Sequence, residues 1–551
     1  MSQGEPSRSS ADLCSRPCAR REQGRQRAHA LALLAAIALA LPLQALGASS
    51  PPARPPASHP AGGGEARIAR DGSFDGGTVI ALARALAKAA FVPPPTSLPE
   101  SLAKLTYDQY RDIRFRGSET IWAHPSRSFH LQPLPLGYLF NTGVELATVK
   151  DGRAQHLAYR PDLFTVGKLV PAPLPTEDLG FSGFRLLHPL NDRRHFDEVA
   201  VFQGASYFRS LGRDQEYGLS ARGLAVKVGS PSGEEFPVFR AFWIEEPKPR
   251  SATVTVHALL DSPSVTGAYR FEIHPGRDTV MRVEAVLFPR VELAEVGLAP
   301  GTTMYMFSPS ERSGVDDFRP QVHDSDGLLV LNGRGEHLWR PLANPTRLQI
   351  SAFADQGPRG FGLMQRDRDP AHYQDFESRF ERRPSLWVEP EGDWGEGDVV
   401  LTEIPSDAEI HDNVVAFWHP RKPIPAGSEF RFAYRLAWGD EPGAARDRLR
   451  VVATALGRAD VKGPTPVRRF VVDYAPERQP CVGACPAPTA VVNASAGRVH
   501  DVVVSDNPLT HGYRVTFILD PEKAELSELR LELELEGSRC AEVWLYRWTK
   551  R

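Results

Sequence analysis

Apolar positions between about residues 105 and 440 come in short runs cut by Gly, Pro, Asp and Asn. The runs include FPVFRAFWIEE (236–246), ATVTVHALL (252–260), TGAYRFEIHPG (266–276), TVMRVEAVLFPRVE (279–292), DVVLTEIP (398–405), NVVAFWHP (413–420) and EFRFAYRLAWG (429–439). Alternation of period two is plain in Thr253-Val254-Thr255-Val256 and from Phe430 to Leu436. Side chains alternate between the faces of a strand, so this texture predicts many half-buried strands rather than helices. After a break at Gly439–Gly443 the pattern resumes in RRFVVDYAP, TAVVNASAG, HDVVVSDN, GYRVTFILD, LRLELELEG and AEVWLYRW. The reading is all-β, with a large N-terminal β-sandwich over 73–440 and a C-terminal immunoglobulin-like β-sandwich over 446–551. The 49 Pro and 45 Gly suit strand-and-turn architecture, and no repeat of solenoid or propeller period is present.

The N-terminal end differs. TVIALARALAKAAF (78–91) has helical spacing of apolar positions and predicts one amphipathic helix. Before it, 49–72 reads as a flexible Pro- and Gly-rich tether. Earlier still, a basic stretch (Arg16, Arg20, Arg21, Arg25, Arg27) leads into the apolar run Ala30–Leu41 and then to the small residues Ala45, Gly47 and Ala48. Those are the three parts of a secretory signal, expected to occupy 1–48 with cleavage after Gly47 or Ala48. The run falls short of the roughly 20 apolar residues that span a bilayer. Arg20-Arg21 keeps both the Sec and the twin-arginine routes open.

Charge and cysteine content narrow the picture. Without the leader, 59 basic residues face 65 acidic ones, a net charge near −6. Nucleic acid and anionic membrane surfaces both select a basic footprint, so neither is expected as the main partner. Cys481, Cys485 and Cys540 remain, all near the C-terminus. In an oxidising compartment this predicts one disulfide and one leftover thiol, with the pairing open. No fourth ligand nearby supports a zinc site.

The chain carries no Walker loop, HExxH, GxSxG or nucleotide-binding GxGxxG, and no cofactor is expected. His323, His411 and His419 lack the spacing of a metal site. Turn segments are instead dense in aromatic, Arg and Asp residues. Tyr207, Arg209, Arg222, Asp261, Tyr269, Trp339 and Trp387 are candidates for a sugar cleft, where aromatic faces stack on rings and polar forks take hydroxyls. The competing reading of each is core packing or turn capping. Acids cluster around Asp324 and Asp412, and glycoside cleavage needs two carboxyl groups. Spacing alone does not separate these two from Asp326, Asp367, Asp369 or Asp375.

Ordered segments from about 100 to 440 resemble the periplasmic glucan biosynthesis protein G/D family: YDQYRDIRF (107–115), LGFSGFRL (179–186), FQGASYFRSLG (202–212), YGLSARGLAV (217–226), EEFPVFRAFWIE (234–245), ALLDSPSVTGAYRF (258–271), RPQVHDSDGL (319–328), WRPLANP (339–345), GFGLMQRDRD (360–369), RRPSLWVEP (382–390) and LTEIPSDAEIHDNVVAFWHP (401–420). The resemblance implies a mutarotase-like N-terminal sandwich, a periplasmic location and work on osmoregulated glucans with a β-1,2-linked glucose backbone. It implies an inverting glycoside hydrolase, with Asp412 of E-x-x-D-N as general acid and Asp324 of HDSD as base, their protons relayed through substrate hydroxyls and water. Transfer to a sugar hydroxyl, including ring closure, is the alternative chemistry. A non-catalytic glucan-binding scaffold docked on a membrane-bound glucan synthase is the alternative role. Phe380 stands where relatives often carry Tyr ahead of RRPS, so a hydroxyl of the expected water network is absent.

Overall fold

The computed structural model describes residues 68–96, 98–312, 314–443, 448–459, 466–476 and 487–550. The expected signal, most of the expected tether, Cys481 and Cys485 lie outside the described residues.

The all-β reading holds. A sixteen-stranded sheet is built on the antiparallel strands Val238–Glu245, Val254–Asp261, Val265–His274, Thr279–Pro289 and Phe430–Gly439, paired in that order. A ten-stranded sheet includes Glu396–Glu403, Val414–Pro420, Val296–Thr303, Ser220–Arg222, Tyr207–Ser210 and Asp197–Gln203. Alternation decides how they meet. In Val265–His274, Tyr269, Phe271 and Ile273 are buried while Arg270 and Glu272 keep partial exposure. The inward rings interdigitate with those of the other sheet: Phe202 lies 5.7 Å from Phe242 and 5.1 Å from Phe271, and Phe208 lies 6.0 Å from Trp438. Burying one such ring contributes about 1.5–3 kcal/mol.

The helix forms at Gly76–Leu86, two residues earlier and five shorter at its end than its apolar pattern predicts. Asp75 sets the start: its carboxylate accepts from Gly77 N (3.0 Å), while Asp75 N donates to Thr78 Oγ1 (3.1 Å). Arg290 sets the end, donating to the Leu86 and Ala89 carbonyls at 2.9 and 3.0 Å. Val79 and Ala83 pack on the outer face of the large sheet with Trp243, Leu259 and Val286. The chain is tied down before the helix as well. Ala69, inside the expected tether, is buried and its N–H donates to Glu145 Oε2 (2.7 Å).

The C-terminal strands fall close to their predicted positions, with Leu449–Arg458 added. Four of them, Leu449–Arg458, Arg468–Pro476, Gly512–Asp520 and Arg498–Asn507, make a separate sheet. Its Phe470 and Phe517 stack at 4.9 Å and meet Trp544 edge-on. The opposing layer is not independent. Val543–Thr549 pairs in parallel with His337–Pro341 through Leu338↔Val543 and Trp339↔Trp544, so the large sheet runs on past the break at 439–443. Arg366 and Glu542 lock this seam with two contacts of 2.8 Å, and the guanidinium lies 3.7 Å from the Trp339 ring centre.

Candidate active site

Strand alternation builds a polar surface on the ten-stranded sheet, on the face away from the sandwich core. Phe208 points into that core, which turns Tyr207 and Arg209 the other way. Arg222 stands directly across from Tyr207, and Thr302 across from Ser220. Arg209 Nε donates to Ser220 Oγ (2.8 Å), and the Arg222 guanidinium sits 4.9 Å from the Tyr207 ring centre. Glu234 pairs with Arg222.

One short stretch, 302–305, positions both acids. Thr302 Oγ1 donates to Asp412 Oδ2 (3.3 Å). Asp324 N donates to the Met304 carbonyl (2.9 Å). Asn413 completes the anchor: its Oδ1 accepts from Tyr305 N (2.8 Å), and its Nδ2 donates to the carbonyls of Tyr305 (2.9 Å) and Ile404 (3.1 Å). Arg383 grips Asp324 through Oδ1. Phe380, which lacks the hydroxyl expected of relatives, supports that arginine with its ring, 4.3 Å from the guanidinium.

Both carboxylates are buried. Burial pushes Asp412 up to about 7; Arg209, Arg222 and the Thr302 hydroxyl oppose the rise and the nearby Asp324 adds to it. Burial also raises Asp324, against the pull of Arg383, Arg209 and His323. Asp412 Oδ1, Asp324 Oδ2, the Tyr207 hydroxyl, and Arg222 Nε and Nη2 are all buried without a hydrogen-bond partner among the described residues. Leaving such groups unpaired costs about 1–3 kcal/mol each. A hydroxyl-rich ligand supplies both the donors and the acceptors that this set lacks.

The family model described as periplasmic glucan biosynthesis protein, MdoG, matches residues 74–548. The chain belongs to that family. Glucans biosynthesis protein G of Vibrio cholerae is 56% identical over 485 residues, covering 88% of each chain. The protein of the same name from a Shewanella species is 54% identical over 505 residues, 91% of this chain and 92% of the relative. Glucans biosynthesis protein G 1 of Shewanella oneidensis is 53% identical over 530 residues, 94% and 96% respectively. Family membership supports a role in periplasmic glucan biosynthesis. Among the described residues no helix is long and apolar enough to cross a membrane, and no group of three or more His, Cys, Asp or Glu is arranged to hold a metal ion.

Of the nine residues singled out from the sequence, the structure brings Asp412, Asp324, Tyr207, Arg209 and Arg222 together and disperses four. Asp261 is held between Arg240 (3.2 Å) and Arg290 (2.9 Å), where it steadies the arginine that caps the helix. Tyr269 faces the sandwich core and donates to the Gly223 carbonyl (2.9 Å). Trp339 and Trp387 pack in the second hydrophobic cluster with Val451 and Trp544. Trp387 lies flat against Gly443 (φ +76°), where a Cβ would come within 2.3 Å of the ring. Thr302 and Arg383 went unrecognised as site residues. Thr302 sits in VGLAPGTT, a stretch outside the predicted strands; the segment is the buried strand Val296–Thr303, bulged between Leu298 and Gly301. The only signal for Arg383 was its place in RRPS. Cys540 forms no disulfide among the described residues, and burial pushes its thiol up.

Proposed function

We propose that the chain is an inverting glycoside hydrolase acting on β-1,2-glucan in the periplasm, with Asp412 as general acid and Asp324 as general base. The observation that carries the reading is the pair of buried carboxylates anchored on 302–305, one of which holds its proton up to about pH 7. A protonated carboxyl at neutral pH is what protonation of a leaving glycosidic oxygen requires, and an ionised partner accepts the proton of the attacking water. Arg383 opposes the rise that burial imposes on Asp324 and so favours the charged form that a base needs. The proton paths run through a substrate hydroxyl and water, so neither carboxylate has to touch the atom it serves. Tyr207 and Arg222 offer donors to ring hydroxyls around the cleaved bond.

Two exposed rings extend the cleft in this reading. Arg319 pairs with Asp317 (2.8 Å), Asp375 (3.0 Å) and Glu409, tying the turn of Phe318 to that of Phe376 and to the loop that carries Asp412. Phe318 and Phe376 are 77% and 84% exposed, a cost in water that stacking against sugar rings offsets.

The test is the rate at which new reducing ends appear from linear β-1,2-glucan. Asp412→Asn and Asp324→Asn are each expected to lower it by about 10²–10⁴ with the fold intact. Equal rates in wild type and both variants, or no release of reducing ends by the wild type, would overturn the proposal.

A further inference from the structure

A polar cavity of about 570 Å³ has Glu381 and Arg382 in its lining. Six arginines line it: Arg213, Arg277, Arg366, Arg368, Arg382 and Arg450. The four carboxylates that share the lining leave it net positive, and they are partly spoken for. Glu441 pairs with Arg450, and Asp440 Oδ1 accepts from Gln215 Nε2 (2.9 Å). Arg366 is matched by Glu542 across the seam.

Arg213, Arg277 and Arg382 form no ion pair among the described residues. They come from three separate segments stapled to one another. Arg213 N donates to the carbonyls of Gly276 (3.1 Å) and Arg277 (3.0 Å), and Glu216 N donates to the Arg382 carbonyl (3.0 Å). Gly212 permits the approach, since a Cβ there would lie 2.2 Å from the Arg277 carbonyl oxygen. A second observation points to a ligand as well. The Nε atoms of Arg366, Arg368 and Arg450, all in the cavity lining, are each buried without a hydrogen-bond partner among the described residues.

Like charges held together on pinned backbone repel one another, and buried guanidinium donors without acceptors are costly. Both penalties are relieved by an oxyanion, whose geometry suits guanidinium forks. We propose that this cavity is an oxyanion-binding site, taking a phosphate or carboxylate group of a ligand distinct from the bond being cleaved. The wall connects to the acid pair. Arg368 Nη1 donates to the carbonyls of Glu381 (3.0 Å) and Arg383, and Arg383 grips Asp324.

Isothermal titration at low ionic strength tests the site with inorganic phosphate and, separately, acetate, for the wild type and an Arg277→Ala/Arg382→Ala double variant. Both side chains are exposed and form no ion pair among the described residues, so the double variant is expected to keep the wild-type unfolding midpoint. The expected result is saturable binding at one site per chain by at least one probe, weakened at least tenfold in the double variant. Phosphate binding alone assigns a phosphate group, and acetate binding alone a carboxylate. Absence of saturable binding by both probes, or equal affinity in the double variant, overturns the proposal.

Discussion

Arg383 donates to Oδ1 of Asp324 while Oδ2 of the same carboxylate is buried with no hydrogen-bond partner among the described residues. One oxygen is therefore held and the other is left to act. The guanidinium opposes the upward push of burial on this carboxyl, so its loss drives Asp324 toward the neutral form. Arg383→Met is expected to lower kcat and to move the acidic limb of the pH–rate profile up by about 1–3 pH units. Arg383→Lys is expected to restore part of that shift. A pH profile that stays in place while kcat falls would separate a packing role for Arg383 from an electrostatic one.

The raised carboxyl of Asp412 ties activity and stability to pH in the same direction. As general acid it must be protonated, so kcat is expected to decline as pH rises through about 7. For stability, the folded state holds the proton more tightly than the unfolded one, whose carboxyl titrates near 3.8. The stabilisation is complete below that value and is lost as pH rises through about 7, on the order of 4 kcal/mol at most. Asp412→Asn removes the titrating group. Thermal melts between pH 4 and 8 are expected to show a smaller fall in midpoint for the variant than for the wild type.

Glu542 is the carboxylate on which the seam between the two parts of the fold depends. It receives both terminal nitrogens of Arg366 at 2.8 Å and the Val451 amide at 3.0 Å, with no exposure to solvent. Glu542→Ala strands a buried guanidinium and is expected to destabilise the fold by about 3–5 kcal/mol in chemical denaturation. An exposed pair such as Lys104–Glu100 is expected to contribute less than about 1 kcal/mol.

Phe318 and Phe376 are too exposed to matter for folding. Phe318→Ala and Phe376→Ala are expected to leave the unfolding midpoint unchanged and to raise KM for long glucans severalfold, at about 0.5–1.5 kcal/mol per lost ring contact. Kinetics on a size-fractionated glucan series check this, since an effect confined to longer chains marks rings bound away from the cleaved bond.

The strands were legible because period-two alternation is written residue by residue, as in Val265–His274. Val296–Thr303 was not, because its Gly and Pro imitate a turn while its bulge lets a strand absorb them. The sugar-cleft candidates divided for a related reason. An aromatic beside an arginine has one appearance in sequence whether it stands beside the acid pair, as Tyr207 does with Arg222, or seals a core, as Trp339 does under Arg366. The acid pair was nameable only through family resemblance. What distinguishes Asp324 and Asp412 from Asp367 or Asp375 is burial and a shared anchor at 302–305, and neither is a property of local spacing.

The central claim is that Asp412 and Asp324 cleave β-1,2-glucan with inversion. Proton NMR of the anomeric region during the first turnovers on linear β-1,2-glucan tests it most directly. The account predicts that new reducing ends appear first as the α-anomer and reach the β-anomer only by later mutarotation, and that Asp412→Asn abolishes the signal. First appearance of the β-anomer, or undiminished release by Asp412→Asn, would contradict it.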